Sequence, residues 1–334
     1  MIAYLSTLFV LVVIAALVGL ALNFQWGVAG LPNFGVVGFV ALGAYATALL
    51  GPHIGWFAAM IGAALLSAAA STALAFLSIR LADDYLAIVT IGFGEVVGIL
   101  LLNEDWLTGG ALGIPNIPRP FTSLVPATQY DAVLLCFALV LLTLTFVTLE
   151  TLVRSPFGRA LRALREDPIA AGALGKPVLL LRIKAFAIGG AVMGIAGALH
   201  AFYLTYIDPG QFTSIITAYA FMAVILGGRG SNIGLLIGAG TIMTLIEATR
   251  FLKDALAVID GAQLAALRLG LVGIGIIVLL IARPQGLIAE PRKRARDFFG
   301  DGEAKSDTRP WPLQGAPAVA TSQTCQSNIS SEES

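Results

Sequence analysis

This sequence is poor in charge. Only 12% of its 334 residues are Asp, Glu, Lys or Arg, against about a quarter in an ordinary soluble domain. Hydrophobic residues make up 57%, and the mean hydropathy is +0.88, which excludes a soluble globular fold. Acids and bases balance at twenty each, so there is no basic field to draw a nucleic acid. Histidine and cysteine number two apiece, with Cys136 in an apolar run and Cys325 in the tail. Nothing in that spacing suggests a disulfide or metal framework. There is no GxxxxGK[ST] phosphate loop and no HExxH, so no catalytic residue, metal ligand or cofactor is assigned. If ATP is used, another chain must hydrolyse it. No Lys or Arg precedes the first apolar run, which therefore reads as an uncleaved span rather than a signal peptide.

What the sequence has instead is long apolar runs. A hydrocarbon core about 30 Å thick takes about 20 residues of helix, and only helices or closed barrels satisfy the backbone there. Runs of this length favour helices. The fold class is an all-α polytopic membrane protein, a bundle of about nine transmembrane helices. The spans are expected near 4–22, 33–50, 56–78, 85–102, 130–150, 184–206, 215–227, 233–250 and 267–283. The second follows GVAGLPNFG, and the seventh is short and ends at GGRGSNIG; either is a candidate for a broken or re-entrant helix. Residues 1–287 form the expected membrane domain. Beyond RPQGL the composition turns to charge, Pro, Ser and Thr, so 288–334 reads as a disordered cytoplasmic tail.

Basic residues set the orientation. Nine spans with the N-terminus outside leave Arg119, Arg250, Lys253 and Arg268 on the outer side and the other sixteen of twenty on the inner. The loop 151–183 and the C-terminus are then expected on the cytoplasmic side, with the N-terminus outside. Trp56 and Trp106 fall at the outer interface and Trp26 at the inner one.

Few ionisable groups lie inside the spans. Glu95, in AIVTIGFGEVVGILL, sits mid-span, where a charge costs about 2.5–3.5 kcal/mol on insertion scales. It is expected to face the bundle interior or a wet path. Asn33 and Phe34, at the glycine-rich break, are the other candidates for a translocation path. Glu247 and Arg250 can pair along one helix face. His200 has no ligand companions nearby. Small-xxx-small spacing at Gly94/Gly98, Gly190/Gly194 and Gly234/Gly238 suits close helix packing.

One stretch is out of character. GRALRALREDPIAAGALG, 158–175, sits in the expected cytoplasmic loop. Arg159, Arg162 and Arg165 recur at three-residue spacing and gather along one side of a helix, with Leu161 and Leu164 on another. Pro168 breaks that helix, and a second short one runs from Ile169 to a stop at Gly175. These helices suit docking, although arginines that only fix topology account for them equally well.

The stretch resembles the cytoplasmic loop of branched-chain amino acid ABC transporter permeases of the LivM and LivH type, where it docks into the ATPase subunit. Ala170, Ala171 and Gly175 keep A-A-x-x-x-G, with Ile169 where the general motif has Glu. LNFQWGVAGLPNFGVVGFVALGAYATALL resembles the family's early segment, with Val36 in place of a His. DYLAIVTIGFGEVV, LTGG at 107–110, ILGGRGSNIGLLIGA and RPQGL resemble later ones, so the likeness covers 20–287 and favours the LivM side.

The resemblance implies an importer permease working with a homologous permease, ATP-binding subunits, a periplasmic binding protein and the lipid bilayer. It implies coupling through Arg159, Arg162, Arg165, Glu166, Ala170, Ala171 and Gly175. The implied substrate is a branched-chain or other apolar amino acid, with urea, short amides or aromatic acids as the alternatives. A rival reading is a secondary transporter or channel using Glu95 as its ion or proton site.

Overall fold

The computed structural model describes residues 2–77, 83–122, 125–126, 129–255, 270, 273 and 286–288. The expected ninth span, apart from Gly270 and Gly273, and the tail beyond Ile288 lie outside the described residues. So do Arg80 and the Arg250 side chain, and with it the Glu247–Arg250 pair.

Eleven helices occur among the described residues: α1 (Ile2–Leu22), α2 (Val36–Ile54), α3 (Trp56–Leu77), α4 (Asp83–Asn103), α5 (Asp105–Thr108), α6 (Tyr130–Arg154), α7 (Pro156–Glu166), α8 (Pro168–Ala173), α9 (Val178–Leu204), α10 (Ser214–Gly227) and α11 (Asn232–Ala255). Seven segments are long and apolar enough to cross a membrane, and α11 carries a shorter apolar stretch, Asn232–Glu247. The first eight expected spans thus fall on helices. Two boundaries move: α6 runs on to Arg154 and α9 starts at Val178, so the loop between them is shorter than 151–183.

The core is a close-packed trio, α2, α3 and α9. In a membrane, helices gain little from burying apolar surface against one another, so close backbone approach through small residues does the work. Gly43 lies against the Gly194 backbone and Gly197 against the Val40 carbonyl. A Cβ on Gly194 would stand 2.8 Å from Ser67 Oγ. Ser67 and Ser71 satisfy their hydroxyls on the Phe39 and Phe186 carbonyls, at 2.9 and 2.7 Å. Gly190/Gly194 and Gly234/Gly238 thus sit at helix contacts, whereas a Cβ on Gly98 would meet open space.

α10 and α11 form a tight hairpin, with Gly227 and Gly234 backbone against backbone. Leu287 and Ile288 donate their N–H groups to the Leu226 and Gly227 carbonyls, at 2.9 and 3.1 Å. The end of RPQGL therefore satisfies carbonyls that the C-terminus of α10 leaves without a helical partner. At the bundle end away from α7 and α8, the loop after α5 is strapped to the end of α9 by an antiparallel bridge between Ile114 and Ile207, 2.8 and 3.1 Å.

Candidate functional site

The break after α1 organises the end of the bundle that carries α7 and α8. α1 widens into a π-helical turn, Asn23–Val28, and residues 29–35 then run without regular structure to α2. Such turns free backbone groups and recur at functional sites. Here buried side chains take up the freed polarity. Asn23 Nδ2 donates to Asn232 Oδ1 (2.9 Å), and its Oδ1 accepts from Gly230 N–H (2.9 Å). Asn232 Nδ2 donates to Glu150 Oε2 (2.9 Å), and Glu150 Oε1 accepts from Arg154 Nε (2.7 Å). Gln25 Nε2 donates to the Phe186 carbonyl (3.2 Å), and Asn33 Nδ2 donates to Gln25 Oε1 (2.8 Å). The break is thereby tied to α6, α9 and α11.

α7 rests on this break. Ser155 caps it, accepting from Gly158 N–H, and Pro156 opens it; Asp167 caps α8, accepting from Ile169 and Ala170 N–H at 2.8 and 3.0 Å. These are the residue types that helix starts select. Leu161 and Leu164 are buried. Arg165 Nη1 donates to the Gly27 carbonyl, a cation at the negative end of the α1 turn. Gly30, at φ +77°, leaves room for it, since a Cβ there would stand 2.7 Å from Arg165 Cγ. Arg229 lies over the Trp26 ring, 4.2 Å from its centroid.

The expectation that the three arginines share one side fails. Three residues along a helix turn it by about −60°, so Arg159 and Arg165 lie about 120° apart. Arg159 is exposed, Arg162 donates to the Val153 carbonyl (3.2 Å), and Arg165 turns into the bundle. Glu166 is exposed and accepts from Arg165 at 3.2 Å. Ala171 is buried, while Ala170 and Gly175 are exposed. The outer surface of α8 and the turn after it is instead apolar: Ile169 is 85% exposed and Leu174 79%.

Glu95 does not face the interior of this chain. It lies on an outer face, where it shares a pocket of about 250 Å³ with Phe34, Val37, Ile91, Ser214 and Phe221. Ser214 Oγ donates to Glu95 Oε1 at 2.6 Å. Phe34 and Phe221 stack with centroids 4.2 Å apart, and Trp26 lies 4.9 Å from Phe221. A column of rings thus runs from the pocket to Arg229. Thr90 holds Phe34 in place, its Oγ1 accepting from the Phe34 N–H at 2.9 Å. Phe34 and Glu95 therefore line the same pocket. Asn33 does not join them: it is fully buried and pins the turn, with Gly35 N–H on its Oδ1 at 3.0 Å.

Sequence reasoning missed Ser214, Phe221, Gln25, Asn23, Asn232 and Glu150. The signal for Asn23, Gln25 and Asn232 was available: amides beside glycine-rich breaks must find hydrogen-bond partners inside the bundle. Among the described residues no group of three or more His, Cys, Asp or Glu could hold a metal ion.

Known proteins share this arrangement of sequence. The family model described as "Branched-chain amino acid transport system / permease component" matches residues 4–282. The chain is 37% identical to the high-affinity branched-chain amino acid transport system permease protein LivM of Salmonella typhimurium, over 87% of this chain and 71% of that one. It is 36% identical to the corresponding LivM of Escherichia coli, over 89% and 72%. Identity to LivH of Escherichia coli is 25%, over 83% and 91%. With matches spanning nearly every described helix, and LivM nearer than LivH, the chain belongs to the branched-chain amino acid ABC transporter permeases, on their LivM side.

Proposed function

We propose that this chain is the inner-membrane subunit of an ABC importer for branched-chain amino acids. It forms one wall of the translocation path with a homologous permease, and separate ATP-binding subunits dock on α7 and α8. A periplasmic binding protein delivers substrate to the opposite end, where Trp106 and Leu112 are 82% and 83% exposed. The α7–α8 end is cytoplasmic in this reading, residues 1–287 make the permease domain, and 288–334 a cytoplasmic tail. The membrane supplies the bilayer, and no nucleic acid takes part.

The observation that carries the reading is the pair Ile169 and Leu174. Large apolar side chains this exposed, on a short helix and the turn after it at the end of the bundle, suit a protein partner rather than water. The inner side of the same element is fixed to the α1 break by Arg165. A push on α8 therefore reaches, through α7, Gly27 and the 23–35 segment, the Phe34–Phe221 stack beside the path. The Glu95 face supports the partner permease: a mid-span carboxylate beside a hydroxyl is unsuited to lipid.

The secondary-transporter reading has less support, because a single central carboxylate gives little coupling machinery and leaves the outer surface of α8 without a task. The test is co-purification of the ATP-binding subunits with the permease pair. Wild type retains them; Ile169→Asp with Leu174→Asp loses them while the pair itself stays assembled. Retention by the double variant, or none by the wild type, refutes the docking role.

A further inference from the structure

Glu95 accepts from Ser214 and, among the described residues, pairs with no Lys or Arg. A carboxylate near the middle of a span calls for a positive partner. Apart from Glu95 and the Ser214 and Thr217 hydroxyls, the pocket is apolar, walled by Val37, Ile91, Phe34 and Phe221. Its volume of about 250 Å³ falls below the roughly 300–1,000 Å³ of sites for drug-sized ligands, a fit for one small molecule. Beside Glu95, the Thr217 hydroxyl accepts from Val37 N–H at 3.2 Å and gives its own proton to no described group. The pocket thus offers an anion and a donor hydroxyl above a floor of stacked rings.

We propose that this pocket is a substrate subsite within the permease wall, specific for a small apolar amino acid as a zwitterion. Glu95 receives the α-ammonium, Thr217 donates to the α-carboxylate, and Ile91, Val37 and Phe221 meet the side chain. The proposal rests on the reading that this face lines the path, and it narrows that reading. Urea and neutral amides bring no cation to Glu95, and an aromatic acid without an amine is repelled by it. The Phe34–Phe221 stack closes the subsite toward α7 and α8, so release follows movement of the break.

The test uses the complete importer in liposomes: this chain, its partner permease, the ATP-binding subunits and the binding protein. Leucine uptake is compared for wild type, Glu95→Gln, Glu95→Asp and Ile91→Trp. Glu95→Gln is expected to lower uptake by about tenfold or more, as for an ion pair stripped of one charge, with all subunits still co-purifying. Glu95→Asp restores part of it. Ile91→Trp, which fills the apolar wall and leaves the charge alone, slows leucine more than alanine. Wild-type uptake by Glu95→Gln, or an equal effect of Ile91→Trp on both amino acids, overturns the subsite and leaves the importer standing. Loss of the partner permease from Glu95→Gln also overturns it, because Glu95 is then an interface charge. Wild type that assembles but moves no amino acid refutes the importer reading itself.

Discussion

Replacing Arg165 by Ala removes the guanidinium that α7 plants on the Gly27 carbonyl while leaving Ile169 and Leu174 untouched. The Arg165 side chain is mostly buried, at 18% exposure, so solvent replaces the lost bond poorly. A hydrogen bond to a charged group contributes about 1.5–3 kcal/mol, and the orphaned carbonyl adds to the loss. A net weakening of about 2 kcal/mol is roughly thirtyfold in the equilibrium between seated and unseated α7, at 1.4 kcal/mol per tenfold. The expected phenotype is uncoupling: ATP-binding subunits remain bound, ATP is hydrolysed, and substrate moved per ATP falls by about tenfold or more. Arg165→Lys keeps the charge but not the planar fork, and recovers part of the ratio. The assay measures ATP hydrolysis and uptake together in proteoliposomes. An unchanged ratio of transport to hydrolysis in Arg165→Ala would refute the route through the break.

Other residues give independent checks. Asn232→Ala strands both Asn23 and Glu150; with about 1–3 kcal/mol for each buried group left unpaired, the detergent-solubilised protein should unfold at lower temperature, and an unchanged midpoint would contradict the network. Gly194→Leu places a branched side chain against Ala63, Ser67 and Gly43 and should remove the protein from the membrane fraction, whereas Gly98→Leu, at a position open to space, should not. Trp106→Ala with Leu112→Ala should raise the concentration of loaded binding protein needed for half-maximal uptake, with the maximal rate little altered. Ala171→Asp, a charge at a buried position of α8, should keep the protein from accumulating in the membrane fraction.

How much was legible before the fold varies by element. Long apolar runs at eight positions gave eight helices because each run is its own local answer: a helix satisfies its backbone in lipid within the segment. Pro168 and Gly175 likewise divide and end the loop helices through local backbone chemistry, with Asp167 as a cap. Helix boundaries were less legible, since Arg154 and Arg182 continue helices beyond the apolar limits; a long basic side chain near a span end can reach toward water without interrupting the backbone.

The site was legible only in part, for a physical reason. From the sequence came a helical membrane bundle with a basic loop broken at Pro168 and stopped at Gly175, a glycine-rich break and a carboxylate at mid-span, because composition, period and backbone breakers act over a few residues. Which way those residues look depends on the folded bundle. It turned Arg165 inward onto Gly27, buried Asn33 as a pin, left Ile169 and Leu174 bare, and brought Ser214 from 119 positions away to the Glu95 carboxylate. Such contacts depend on helix rotation and on close approach at Gly43, Gly194 and Gly30, and rotation about a helix axis is set by neighbours that the local sequence does not contain.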